Sequence, residues 1–188
     1  WPGPGTAAGE TRRAVVPAIV DSILRLPLFA VILGAGTVVS AVLAAPLARR
    51  WREPWIVVFG LGVGLSLVLG ATLSPSPGSV SGACLQAMTR PLGPRGMLVL
   101  SSDRALNTWL LVPLGFCAGY LGVRRWWLLL LAFLVPVAVE ATQRFLPELG
   151  RRCQFQDLID NTWGLVIGAV AGVILGFIVP WLGRLVRR

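Results

Sequence analysis

The chain has 188 residues, 55% of them hydrophobic and 13% charged, with a formal net charge of +9 and a mean hydropathy of +0.76. So apolar a composition excludes an ordinary soluble domain and identifies an integral membrane protein. Every basic residue is arginine and histidine is absent, which removes His-based acid–base catalysis, Ser-His and Cys-His nucleophile pairs and imidazole metal ligands.

Taken in order, residues 1–25 are rich in Gly, Pro and Ala and lack the apolar core and A-x-A site of a signal peptide, so they read as a mobile tail. With Trp1 at the first position, the natural start is expected upstream. Residues 26–48 form an uninterrupted apolar run, long enough for one span, closed by R-R-W-R at 49–52. A second span, 55–73, is glycine-rich and stops at T-L-S-P-S-P-G, where prolines and small polar residues end a helix. The interval 74–104 reads as an ordered loop containing Cys84, with a short interfacial helix at 85–88 or 96–101. The third span runs over 105–123, and Pro113 is expected to kink it. After the Arg124-Arg125-Trp126-Trp127 turn a fourth span reaches about Phe145; the loop 147–156 follows, and a fifth helix starts at Asp157 and ends near Leu182.

The expected fold is therefore all-α, a polytopic transmembrane bundle of about five spans with one longer extracytoplasmic loop. Its divisions are the tail 1–25, an extra N-terminal helix over 26–53, the main transmembrane domain over 54–183 and a basic tail at 184–188. The arginines sit in clusters between apolar runs and not along one soluble face, which argues against nucleic acid and for topology signals. Clusters at 49–52, 124–125 and 184–188 flank short segments and are expected in the cytoplasm, leaving 74–104 and 140–160 outside.

The chemistry concentrates between Glu140 and Gly176. Glu140 and Gln143 are three apart and share a helix face, and Arg144 stands four beyond Glu140, so either a helical ion pair or an inward carboxylate paired with Arg151 or Arg152 would account for Glu140. Asp157, Asp160, Asn161 and Gly164 fall on one stripe of the fifth helix. Asp157 could serve as a plain N-cap, but capping does not explain the deeper Asn161. Gly164, Gly168, Gly172 and Gly176 form a GxxxG series that admits another helix at close range. Asp103 and Asn107 are four apart at the start of the third span. With Glu140, Gln143, Arg151, Arg152, Asp157 and Asn161 they would make a polar cluster at one membrane face if the helices are adjacent. Cys84 and Cys153, on the expected outer side, could form a disulfide that ties the long loop to the motif loop, whereas Cys117 lies within a span and reads as packing. No metal spacing exists and no cofactor is expected.

These residues also carry a resemblance. D-R-A-L-N-T-W-L-L-V-P-L-G at 103–115, E-x2-Q at 140–143, an arginine at 151 or 152, D-x3-N-x2-G-x3-G at 157–168 and T-L-S-P at the end of the second span resemble, in joint order and spacing, the VanZ-like family of bacterial membrane proteins over roughly 55–180. Two departures stand out: Gln154 and Gln156 occupy positions where many members carry acids, which argues against a multi-carboxylate cation site, and the first span is additional. The resemblance implies a multi-pass component of the bacterial cell membrane associated with resistance to the glycopeptide teicoplanin, with no established reaction.

The first functional expectation is a non-enzymatic envelope protein in the lipid bilayer. Its outward polar site would bind an envelope lipid, a lipid-linked or glycopeptide-like ligand, or a membrane protein partner, with Arg151 and Arg152 holding an anionic head group. The alternative is a membrane-embedded enzyme on envelope lipids with Glu140 or Asp157 as general base. A transporter ranks last, because the spans show neither an inverted repeat nor a broken-helix pair.

Overall fold

The computed structural model describes residues 28–75, 90–98, 102–150 and 153–185, with the side chains of 147 and 180–185 excepted. The expected tail at 1–25, the helix at 85–88, Cys84, Arg151, Arg152 and residues 186–188 lie outside the described residues. Within them the fold is helical: α1 (Phe29–Trp51), α2 (Trp55–Leu73), the short α3 (Pro94–Met97), α4 (Asp103–Gly122), α5 (Trp126–Phe145), a 3-10 turn (Pro147–Leu149) and α6 (Phe155–Leu185). Five of these helices, all but α3, are long and apolar enough to cross a membrane.

Several boundaries differ from expectation for local reasons. Helix α1 does not stop before its arginines; Arg49 and Arg50 form its last turn, where cations oppose the helix dipole, and the helix ends when Arg52 turns left-handed at φ 56°. Helix α4 begins two residues early because Ser102 caps it, its hydroxyl accepting the Ala105 N–H at 3.1 Å. Helix α6 begins at Phe155, so Asp157 lies inside the first turn and is not the cap. Pro46, Pro113 and Pro136 are all accommodated within single helices.

In a bilayer the lipid tails are as apolar as the side chains, so helix association rests on close van der Waals packing. The chain meets that requirement in two ways. Helices α1 and α2 run antiparallel with reciprocal Gly-x3-Ser pairs. A Cβ on Gly36 would overlap Ser66 and one on Gly62 would overlap Ser40, while each serine hydroxyl donates back to the glycine four residues before it, at 2.6 Å for Ser40 and 2.8 Å for Ser66. At the far end of this pair the Leu28 N–H is bound by Ser74 Oγ at 3.1 Å, and Ser74 is fully buried.

Helices α4 and α6 make the most extensive contact of the molecule and run parallel. Methyl groups added to Gly164, Gly168 and Gly172 would overlap the carbonyl oxygens of Thr108, Val112 and Phe116, and one on Gly176 would lie 3.1 Å from that of Tyr120. Gly115 and Gly119 reciprocate against the Leu165 and Ala169 carbonyls. Helix α2 seats on the opposite side of α4, with Gly64 against the Leu114 backbone and Gly60 against the Cys117 sulfur, and Cys117 is a buried free thiol. Helix α4 is the most buried span and α1 the least.

Candidate functional site

At the Trp51 end of the bundle the turn after α4 folds onto the turn after α1. Glu53 is buried, and Arg124 Nη1 donates to both of its carboxylate oxygens at 3.0 and 2.9 Å. Arg125 donates to the Trp51 carbonyl at 3.0 Å and stacks its guanidinium 5.4 Å from the Trp51 ring centroid, which in turn meets Trp127 edge-on at 6.0 Å. The ion pair to Glu53 had no signal beyond charge, since the two residues are 71 positions apart.

At the Ser74 end stands the polar group that α4, α5 and α6 build together. The α4–α6 register places Thr108 on Gly164; one turn earlier along the same seam it places Arg104 on Asp160. Asp160 is 0% exposed and receives two bonds from Arg104, Nε to Oδ2 at 2.8 Å and Nη2 to Oδ1 at 2.9 Å. This two-armed geometry suits a guanidinium and a carboxylate. Arg104 Nη2 also donates to the Arg90 carbonyl at 2.7 Å, and Trp109 Nε1 donates to the Met97 carbonyl at 2.8 Å. The segment 90–98 is thus fastened to the start of α4. Thr108 is fully buried, its hydroxyl donating to the Arg104 carbonyl at 3.0 Å.

Glu140 and Gln143 share the buried face of α5. Glu140 accepts the Gln154 N–H at 3.1 Å through Oε2, which joins the end of α5 to the start of α6. Its other oxygen, Oε1, is buried and has no hydrogen-bond partner among the described residues, and the same holds for Asn161 Oδ1 and for both side-chain polar atoms of Gln156. Glu140 is 7% exposed and Asn161 3%. Buried polar atoms in native folds are satisfied in the great majority of cases, so four such orphans on two adjoining segments set this end of the bundle apart.

The expected cluster is therefore distributed as follows. Glu140, Gln143 and Asn161 are buried at this end; Asn107 is half-buried on α4; Asp103 is exposed in the first turn of α4; Asp157 is half-buried in the first turn of α6. Glu140 does not pair with Arg144, which is exposed; its carboxylate turns to the Gln154 backbone because Gln154 enters α6 beside it. The expected partners Arg151 and Arg152 lie outside the described residues. Cys153 is disulfide-bonded, and the partner expected for it, Cys84, lies outside the described residues. Among the described residues no group of metal-ligating side chains converges.

Sequence reasoning placed Asp160 on the polar stripe but not among the site residues, and it missed Arg104. A signal was present: stepping the glycine series back by four from Gly164 lands on Asp160, the position that must meet α4.

A family model described as VanZ/LLP1 matches residues 67–179, from the second half of α2 into α6. No curated protein and no solved structure matches the chain.

Proposed function

We propose, for a chain that belongs to the VanZ/LLP1 family, that the buried polar group at the Ser74 end is a binding site facing the outside of the bacterial membrane. The ligand is a lipid-linked or glycopeptide-like molecule of the envelope, and the binding contributes to tolerance of teicoplanin-type glycopeptides. One observation carries the reading. Glu140 Oε1, Asn161 Oδ1 and the Gln156 amide are removed from water without partners among the described residues, a condition that costs about 1–3 kcal/mol per group and is relieved when a ligand supplies the missing bonds. Hydroxyl- and amide-rich head groups of envelope precursors and glycopeptides have that chemistry. Arg104 and Asp160 position the site by locking α4, α6 and the 90–98 segment together.

The outward orientation follows from the arginine clusters at 49–52 and 124–125, which the fold gathers at the opposite end and which short cytoplasmic loops favour. A Cys84–Cys153 bridge would tie the long loop to the entry of α6 on that same oxidising side. Direct binding of teicoplanin and of a lipid-linked cell-wall precursor to the purified protein in nanodiscs tests the proposal. Replacing Asn161 by Leu removes one acceptor without opening a cavity, and the affinity should fall about tenfold, the equivalent of one hydrogen bond. Unchanged affinity for both ligands would overturn it.

The buried carboxylate with one free oxygen also favours a second reading, an enzyme acting on envelope lipids with Glu140 as general base. Glu140→Gln separates the two, because the amide keeps an acceptor oxygen and cannot take a proton.

A further inference from the structure

Among the described residues the bundle leaves a long cleft open. Helix α1 packs on α2, and α5 packs on α4; α1 and α5 meet at the Trp51–Trp127 contact, and a groove of about 360 Å³ lies between them over a floor of α2 and α4. Its walls are apolar: Leu43, Leu47 and Trp51 from α1 face Leu128, Leu131 and Val135 from α5. From Gly36 to Trp51 it follows α1 for about 22 Å, longer than the roughly 15 Å of one leaflet's hydrocarbon half-thickness.

The groove ends beside Arg50 and Arg125, which have no carboxylate partner among the described residues. Arg50 is exposed and continues the α1 face of Leu43 and Leu47 by one turn. Arg125 holds the Trp51 backbone and ring from the other side, and its Nε is a buried donor without a partner among the described residues. Arg124 differs, because Glu53 takes its charge. Neither Arg50 nor Arg125 meets a carboxylate among the described residues. An apolar channel of acyl-chain length that opens onto uncompensated arginines is complementary to one kind of molecule in its surroundings.

We propose that this groove is a binding site for an anionic glycerophospholipid of the bilayer, its acyl chain lying between α1 and α5 and its phosphate meeting Arg50 beside Trp51. The site is independent of the polar group at the other end. It gives α1, which touches little besides α2, a second surface through which it is joined to the rest of the bundle.

Native mass spectrometry of the full chain, released from nanodiscs of mixed phosphatidylglycerol and phosphatidylcholine, reads the occupant directly. The expected result is one retained phosphatidylglycerol per chain. Its preference over phosphatidylcholine should fall about fivefold in Arg50→Gln, the effect of one arginine near an anionic surface. Val135→Trp, which fills the groove from its α5 wall, should remove the retained lipid. Photo-crosslinking of the unaltered protein with a diazirine-tailed phosphatidylglycerol guards against misfolding of that variant, and adducts should map to 39–51 and 128–135. Equal retention of the two lipids, adducts spread evenly over all spans, or a dimer that buries the groove in place of lipid would each overturn the proposal.

Discussion

At the Trp51 end Glu53 is buried and Arg124 meets both of its oxygens through Nη1 alone; at the Ser74 end Asp160 is buried and Arg104 holds its two oxygens with two arms, Nε and Nη2. Around the first pair the remaining orphan is a donor, Arg125 Nε, while around the second they are mostly acceptors, Glu140 Oε1 and Asn161 Oδ1 with the Gln156 amide. Each end thus combines one closed ion pair with open valences of opposite character. The closed pairs hold helices together; in the two proposed sites the open valences are the points that outside molecules meet. If that division is right, variants of the closed pairs should change stability and variants of the open groups should change binding.

The largest effect is expected from Arg104→Ala. It leaves the Asp160 carboxylate, 0% exposed, without a counter-charge, and an uncompensated buried charge costs about 3–5 kcal/mol. Asp160→Asn should cost less, because Arg104, with 35% of its side chain exposed, can turn to water. Arg124→Ala at the other end should reproduce the Arg104 loss, since Glu53 is as deeply buried as Asp160. Thermal unfolding in detergent checks the ranking, and an Asp160→Asn loss equal to that of Arg104→Ala would break the view of the arginine as the more critical partner.

Next comes the seam that joins the two ends. A methyl on Gly168 would overlap the Val112 carbonyl oxygen, so Gly168→Ala must force α4 and α6 apart and should lower stability by about 1–3 kcal/mol. Gly34→Ala is the control: nothing lies within 4 Å of its added methyl, and helix propensity alone should make it neutral or favourable by about 1 kcal/mol. Smaller again is the stability change from Asn161→Leu. Removing an unpartnered acceptor should alter unfolding by no more than about 1 kcal/mol, in either direction, while binding falls. Joint loss of both would return Asn161 to the structural framework.

Much of this was legible in the sequence because membrane helices are constrained in length and polarity. The spans followed from apolar runs, and their boundaries moved by a few residues, at Ser102 because of a cap and at Arg49 because an arginine suits a helix C-terminus. The glycine series announced a close helix contact, but not its partner, since the complementary Gly115 and Gly119 become informative only once α4 and α6 are known to be parallel. The site was half legible. Glu140, Gln143 and Asn161 stood out as polar groups in apolar helices, whereas Arg104 was hidden beside Asp103, at a helix end where an arginine ordinarily reaches water. Whether Glu140 would choose Arg144 or the Gln154 backbone depended on how the chain re-enters the bundle after Pro147, which residue types alone do not determine.

The smallest change discriminates most finely. Glu140→Gln preserves shape, keeps an oxygen that can accept the Gln154 N–H, and removes a carboxylate that has no arginine partner among the described residues. Stability should therefore shift by less than about 1 kcal/mol, because no ion pair is broken. Binding should survive if the open oxygen of Glu140 faces a ligand hydroxyl, which can accept from the new Nε2 as readily as it donated to Oε1, and weaken if it faces a ligand N–H. If it serves to take a proton, any turnover should disappear while binding persists, since an amide has no basic lone pair near neutral pH. Measuring ligand affinity and product formation on the same preparation distinguishes these outcomes. Retained affinity with turnover unchanged from the parent protein would exclude Glu140 as a base and leave the open carboxylate oxygen as part of the binding surface that sets this end of the bundle apart from the other.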